Sequence, residues 1–138
     1  MPTTGADLTG GCLCGAVRYR LASAPFDAGW CHCRMCQLNS GSPAMAFAKV
    51  PSEDVVVESG GEAIRRYTSS EIAERWFCDR CGTPLLVRDF AGTTYDFSIA
   101  TLDRPEAVAP ECHFYYDSRI AWAEAGDDLP RFPRGRHA

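Results

Sequence analysis

Seven of the eight cysteines in this chain fall into three short groups whose spacing is typical of zinc ligands. The first group is Cys12-Leu-Cys14 and the last is Cys78-Asp-Arg-Cys81, and each is followed by a glycine. That glycine lets the backbone turn tightly, so that its N–H groups can approach the sulfurs. Together the two pairs supply four thiolates, the complete ligand set of a tetrahedral structural zinc. The alternative is that these are free cysteines in a core, and two glycine-backed pairs argue against it.

The third group, Cys31-His-Cys33-Arg-Met-Cys36, supplies only three thiolates. Three protein ligands plus an exchangeable fourth position are the pattern of catalytic zinc. A thiol that enters such a position is deprotonated on binding, so the open position suits a sulfur-bearing substrate. We therefore predict a second, catalytic zinc on Cys31, Cys33 and Cys36. The alternative is a purely structural site that a fourth protein ligand closes.

Three residues are candidates for that fourth ligand. Cys112 is isolated between strand-like residues, which favours a buried free thiol, although it is the residue best able to close the site. His32 lies between two ligands, and in an extended Cys-x-Cys segment its ring points away from the ion. His113 is interpreted first as a strand histidine whose hydrogen bonds are satisfied.

The elements that must position these groups are short strands, because residues alternate between apolar and polar with a period of two. Glycine and proline punctuate the pattern, which predicts an all-β domain. Strands are expected at 17–21, 45–49, 54–58, 63–68, 72–77, 84–88, 94–99 and 112–116. Helix is scarce: one turn from Met35 to Ser40 ending at Gly41, and a short helix through Arg119 to Ala123.

The length of 138 residues predicts a single domain, 1–138, with its core at about 9–126. The tail at 127–138 is rich in Pro, Arg and Gly, and we expect it to be loosely held, with its arginines solvated. Hydrophobic residues make up 46% and charged residues 23%, as in ordinary globular proteins. Four aromatic residues are expected in the core: Trp30, Trp76, Phe97 and Trp122.

Charge and targeting signals restrict the partners and the compartment. The formal net charge of −4 argues against a nucleic-acid partner. No run of 18 apolar residues is present, so we expect no membrane span. The first residues do not resemble a signal peptide, which makes the cytoplasm the expected location. A reducing cytosol disfavours disulfides and so favours the metal interpretation of the cysteines.

The ordered set of motifs resembles the glutathione-dependent formaldehyde-activating enzyme (GFA) family, also called the centromere protein V/GFA domain. The resemblance begins at Gly10-Gly-Cys-Leu-Cys-Gly-Ala-Val-Arg-Tyr19 and continues through the Cys31–Cys36 group with Ser40-Gly41. It resumes at Arg75-Trp-Phe-Cys-Asp-Arg-Cys-Gly82, Ala100-Thr-Leu-Asp103 and His113-Phe-Tyr-Tyr-Asp-Ser-Arg119 with Trp122. Cys112 is not part of the recognised motif.

This resemblance implies antiparallel sheets in the Mss4-like β-tent fold, stabilised by zinc. It implies a structural zinc on Cys12, Cys14, Cys78 and Cys81, and a more labile zinc on the third group. The implied activity is that of a carbon–sulfur lyase on adducts such as S-hydroxymethylglutathione, with glutathione or another small thiol and an aldehyde as partners.

Other parts of the function stay open at this point. No Ser/His/Asp set and no paired acid/base carboxylates stand out, so zinc is the evident source of chemistry. Arg34 and Arg75 are candidates for contacting glutathione's carboxylates, with solvated surface arginines as the alternative. A zinc-stabilised binding module without catalysis is the competing function, and the oligomeric state is left open.

Overall fold

Short strands are the main regular elements in the computed structural model of this chain, which describes residues 8–136. The strands are β1 (Leu8–Gly11), β2 (Arg18–Leu21), β3 (Phe26–Cys31), β4 (Met45–Pro51), β5 (Val55–Ser59), β6 (Ile64–Thr68), β7 (Ala73–Cys78), β8 (Pro84–Asp89), β9 (Thr94–Ser98) and β10 (His113–Phe114). The described residues contain one α-helix, α1 (Arg34–Ser40), and several single 3₁₀ turns. The predicted all-β class is therefore confirmed.

The strands form two sheets. The smaller has the order β1-β2-β5 and the larger β10-β3-β4-β9-β8-β7-β6. Neighbouring strands are antiparallel throughout, except that β10 runs parallel to β3. Strand β3 therefore connects the edge strand β10 to the rest of the larger sheet, and it ends at the first cysteine of the three-cysteine group.

Strand β4 shows how the alternation positions the site. Ala48 and Val50 are fully buried in the main core, together with Leu21 and Phe97. The opposite face of β4 carries Met45, Phe47 and Lys49. Met45 and Phe47 pack with Cys36 of α1 in a separate apolar cluster. One face of the strand thus builds the core and the other faces the third cysteine group.

Helix α1 begins at Arg34, one residue before the predicted start, and ends at Ser40 as predicted. Cys33 is its N-cap, and the Cys33 sulfur accepts a hydrogen bond from the backbone N–H of Cys36 at 3.3 Å. Gly41 ends the helix in the left-handed conformation, with φ of 72°. The cap places two of the three cysteine sulfurs of this group side by side.

The structure corrects three expectations about local structure. Strands β1 and β3 were not predicted, and in β3 the sequence Phe-Asp-Ala-Gly-Trp-Cys lacks an apolar–polar alternation. The predicted helix at Arg119 to Ala123 is wrong, since a 3₁₀ turn at Tyr116–Ser118 ends at Arg119 in an extended conformation. Trp122 is 77% exposed and Trp30 is 36% exposed, so they lie outside the core, whereas Trp76 and Phe97 lie within it.

The described part of the C-terminal tail, 127–136, also differs from expectation, because its backbone pairs with β10 and the residues that follow. His113 N–H donates to the carbonyl of Pro130 at 2.9 Å, and Phe132 N–H donates to the carbonyl of His113 at 2.9 Å. Tyr115 N–H donates to the carbonyl of Arg134 at 3.0 Å. These hydrogen bonds hold the tail beside the edge of the larger sheet, while His137 lies outside the described residues.

No helix within 8–136 has the length and apolar character needed to cross a membrane.

Candidate metal centres and the adjoining cleft

The four-cysteine group joins the turn after β1 to the end of β7. The Sγ atoms of Cys12, Cys14, Cys78 and Cys81 all lie within 4.8 Å of one another. The Sγ of Cys14 lies 3.6 Å from that of Cys12 and 3.8 Å from that of Cys78. Zinc–sulfur bonds of about 2.3 Å in a tetrahedron separate the sulfurs by about 3.8 Å. The donor set therefore fits a zinc ion in both chemistry and spacing.

The backbone around this group supports the sulfurs as the glycine positions predict. Gly15 and Gly82 both have φ of 82°, a conformation that L-residues with a Cβ rarely adopt. Backbone N–H groups of Val17 and Arg80 point at cysteine sulfurs from 3.3 and 3.4 Å. Such hydrogen bonds stabilise thiolates more than neutral thiols.

The three-cysteine group lies where β3 passes into α1. The Sγ atoms of Cys31, Cys33 and Cys36 also lie within 4.8 Å of one another. No further Cys, His, Asp or Glu among the described residues joins this group. Cys112 lies elsewhere: it is fully buried, and its sulfur approaches the carbonyl oxygen of Ala28 at 3.8 Å.

Crowding makes the three thiols unequal. Hydrogen bonds from Cys31 and Cys36 lower the pKa of Cys33, with a smaller contribution from the charge of Arg75. The pKa of Cys31 is raised, because its thiol donates to the neighbouring sulfurs and a second negative charge would be repelled there. The group alone therefore favours a single thiolate, and a divalent cation is what allows all three to ionise. This donor chemistry fits zinc.

Arg75, on β7, is the cation nearest to these sulfurs. Its guanidinium donates to the Cys36 sulfur at 3.6 and 3.7 Å and to Asn39 Oδ1 at 3.5 Å. Arg75 is 8% exposed, so the alternative of a solvated surface arginine is excluded for it. Arg34, by contrast, is exposed and donates to Gln37 Oε1 at 3.1 Å.

A buried histidine pair, which the sequence did not indicate, lies behind the same cysteines. His32 Nε2 lies 2.8 Å from His113 Nδ1, and His113 Nε2 lies 3.0 Å from a carboxylate oxygen of Asp127. Because the carboxylate accepts from Nε2–H of His113, the neutral His113 ring accepts from His32 through Nδ1. Burial lowers the pKa of His32, which favours its neutral form. The histidines thus tie the Cys31–Cys33 segment to β10 and the tail, and His32 is no metal ligand in this arrangement.

A cleft of about 470 Å³ opens beside the three-cysteine group. The sulfurs lie at one end, and Phe47 and Met35 contribute apolar surface next to them. At the other end Lys49 pairs with Asp96 at 2.9 Å, and Arg136 pairs with Asp27 at 3.2 Å. The cleft therefore offers a thiolate-rich end and an end with charges of both signs.

Comparison with known proteins agrees with the motifs. Residues 7–118 match the family model described as glutathione-dependent formaldehyde-activating enzyme, GFA. This chain belongs to the GFA family. Both cysteine groups lie within the matched residues, whereas Asp127 and Arg136 lie beyond them.

Relatives of this GFA chain include a Schizosaccharomyces pombe protein named an uncharacterized lyase, which is 30% identical over 113 residues. That match covers 70% of this chain and 80% of the relative. A Halomonas elongata protein, provisionally named glutathione-dependent formaldehyde-activating enzyme, is 30% identical over 126 residues, covering 85% of this chain and 80% of the relative. A crystal structure of a Rhodobacter sphaeroides protein shares the fold, with a TM-score of 0.60 at 24% identity, covering 90% of this chain and 99% of that one.

Proposed function

We propose that this GFA chain is a zinc-dependent carbon–sulfur lyase that forms or cleaves thiohemiacetals, the adducts of a thiol and an aldehyde. The observation that carries the proposal is the three-cysteine group at the wall of a cleft, without a fourth ligand among the described residues. The names of the two relatives, a lyase and a formaldehyde-activating enzyme, support the same class of reaction.

The four-cysteine group would hold a structural zinc, and Cys31, Cys33 and Cys36 would hold the second ion. A zinc bound there would lower the pKa of an entering thiol, so that the thiol is a thiolate at neutral pH. The buried guanidinium of Arg75 balances the negative charge that three thiolates concentrate at this end of the cleft.

The reaction itself balances without any further reactant. In the direction of synthesis, a bond forms between the thiol sulfur and the carbonyl carbon, and the thiol proton moves to the carbonyl oxygen. Cleavage reverses both changes. We assign the proton transfer to solvent, because the two carboxylates that line the cleft, Asp27 and Asp96, are engaged in ion pairs.

The substrates we propose are glutathione and formaldehyde, the pair named in the family description. An aldehyde this small needs little space beyond the sulfur, and the cleft is long enough for a peptide thiol. Both ends of the cleft carry cationic side chains, which suits a thiol that bears carboxylates.

Exchange spectroscopy by NMR tests the proposal directly. Glutathione and formaldehyde interconvert with their adduct without a catalyst, and we expect the zinc-loaded protein to raise the exchange rate in proportion to its concentration. Cys33→Ser should abolish the increase while keeping the fold and one zinc per chain. Cys112→Ser is the matched control, because it removes a buried thiol outside both groups, and it should retain full activity. Equal exchange rates with wild type and Cys33→Ser would contradict the proposal and favour a non-catalytic binding module.

A further inference from the structure

Four charged side chains gather at the end of the cleft away from the cysteines. We call this set the charged end; it comprises Asp27, Lys49, Asp96 and Arg136. Lys49 and Asp96 are cross-strand partners on β4 and β9, and Asp27 and Arg136 come from β3 and the tail. The side chains of all four are between 27% and 33% exposed, so a ligand in the cleft can reach them.

Unusual backbone conformation occurs at the wall of this cleft. Asp27 and Tyr115 are the two non-glycine residues within 8–136 with positive φ, at 50° and 52°. Both line the cleft. At Asp27 the pairing of β3 with β4 shifts register between Phe26 and Gly29, which is a bulge. Bulges and left-handed residues re-aim side chains and are concentrated at functional sites.

We infer that the charged end binds the γ-glutamyl end of the thiol substrate, the end that carries both an ammonium and a carboxylate. This inference rests on the proposed function, in which the substrate is a peptide thiol such as glutathione. The glycyl end of glutathione carries a carboxylate alone and would leave Asp27 and Asp96 facing another anion. The γ-glutamyl end places a cation against the aspartates and an anion against Lys49 and Arg136.

The length of the cleft agrees with this orientation. Cys31 and Asp27 lie four residues apart on β3, which is at most about 13 Å along an extended strand. In glutathione the sulfur belongs to the central residue, and the seven bonds from it to the α-carbon of the γ-glutamyl group span roughly 9 Å when extended. A thiol sulfur at the cysteine end therefore leaves the γ-glutamyl group within reach of the long side chains of Lys49 and Arg136. Phe47 lies between the two ends on the same strand face as Lys49.

Arg136 contributes to this recognition from the C-terminal tail. It lies beyond residues 7–118, the part that matches the family model, and the paired tail brings it into the cleft. Besides Asp27, it contacts Glu111 at 3.7 Å. Specificity for the amino-acid end of the substrate would thus be added by a segment outside the residues that match the family model.

Calorimetric titration of the zinc-loaded protein with thioether ligands tests the inference without requiring catalysis. S-methylglutathione is the full ligand, and S-methylcysteinylglycine lacks the γ-glutamyl group. We expect the wild type to bind the full ligand at least tenfold more tightly than the truncated ligand. Arg136→Gln and Asp27→Asn should each weaken the full ligand about tenfold, the scale of one charge-assisted hydrogen bond, and leave the truncated ligand unchanged. Arg136→Lys should retain most of the wild-type difference in affinity between the full and the truncated ligand.

Arg134→Gln is the matched control, since Arg134 belongs to the same tail but is exposed outside the cleft. It should bind both ligands as the wild type does. The inference would be overturned if Arg136→Gln left the ratio of the affinities for S-methylglutathione and S-methylcysteinylglycine unchanged. It would also be overturned if the effect of Arg136→Gln on affinity disappeared only with a ligand that lacks the glycyl residue. If thiol–aldehyde exchange depends on Cys33 but the affinity ratio is unchanged in Arg136→Gln, this inference fails and the lyase proposal stands. Ligand discrimination without catalysed exchange defeats the lyase proposal and leaves the charged end as a recognition site.

Discussion

Arg75 directs both terminal nitrogens of its guanidinium at the sulfur of Cys36, from 3.6 and 3.7 Å. The residue is almost fully buried, and its Nε has no hydrogen-bond partner within the described residues. A buried cation is costly unless an anion opposes it, and the anion available here is the thiolate group. Arg75 and the three cysteines are therefore one electrostatic unit.

From this contact we predict that Arg75→Met weakens zinc binding by the three-cysteine group about 10- to 100-fold, as loss of groups that contact metal ligands generally does. The zinc affinity of Arg75→Lys should lie between those of Arg75→Met and the wild type, because lysine keeps the charge but loses the contact through two nitrogens. Competition with a chromophoric chelator measures both affinities in one titration. The four-cysteine group is the internal control and should be unaffected. Equal loss of both ions would show instead that the substitution disturbs the whole fold.

The three short cysteine motifs could be predicted from the sequence because the geometry within each of them is local. Cys33 and Cys36 lie on one helical turn, and the glycines after Cys14 and Cys81 adopt the tight turns that their positions require. The alternation at 45–49 likewise predicted strand β4. Sequence patterns of period two or three to four are sufficient for relationships of this kind.

The charged end and the histidine pair depend instead on contacts between distant residues. Arg136 meets Asp27 across 109 residues, and His32 meets His113 across 81. No periodic pattern marks either pair, and the bulge at Asp27 interrupts the alternation that would have revealed β3. Whether Cys112 reaches a metal group was equally a question of tertiary packing, which places it against Ala28.

The hydrogen bond between His32 and His113 leads to a second prediction. His113→Phe removes the acceptor for His32 Nε2–H inside a buried site, and an unsatisfied buried group costs about 1–3 kcal/mol. We expect that loss in the free energy of unfolding measured with urea on the zinc-loaded protein. We also expect faster release of the labile zinc, because the Cys31–Cys33 segment loses its side-chain contact with β10 and keeps only backbone hydrogen bonds, such as that from His32 N–H to the carbonyl of Phe114.

A double-mutant cycle separates this role from simple packing. Asp127→Asn keeps the shape of the side chain and weakens its hydrogen bond with His113 Nε2. If the three residues act as a chain, His113→Phe and Asp127→Asn together should cost less than the sum of the two single changes. Strict additivity would argue that Asp127 acts independently of the histidines.

Cys112→Ala supplies a prediction about a residue that could have closed the second site. Because its sulfur lies against Ala28 rather than the three-cysteine group, the substitution should leave the zinc content and both zinc affinities unchanged. The cost in stability should be about 1 kcal/mol, as for a small change in a core. Inductively coupled plasma mass spectrometry with a chelator titration measures the metal. Loss of the weaker zinc in this variant would identify Cys112 as its fourth ligand.

Removal of metal should occur in two stages with different consequences for the fold. A structural zinc contributes an apparent ~10–16 kcal/mol, comparable with the ~5–15 kcal/mol net stability of a whole domain. Cys78 is fully buried and joins β7 to the turn after β1 through the four-cysteine group. We therefore expect Cys78→Ser to abolish the cooperative thermal transition seen by circular dichroism, whereas Cys33→Ser keeps it. A weak chelator should remove one zinc per chain without loss of that transition, and a strong chelator should remove the second and unfold the protein. A fully metal-free protein that still melts cooperatively would contradict the structural role of the four-cysteine zinc.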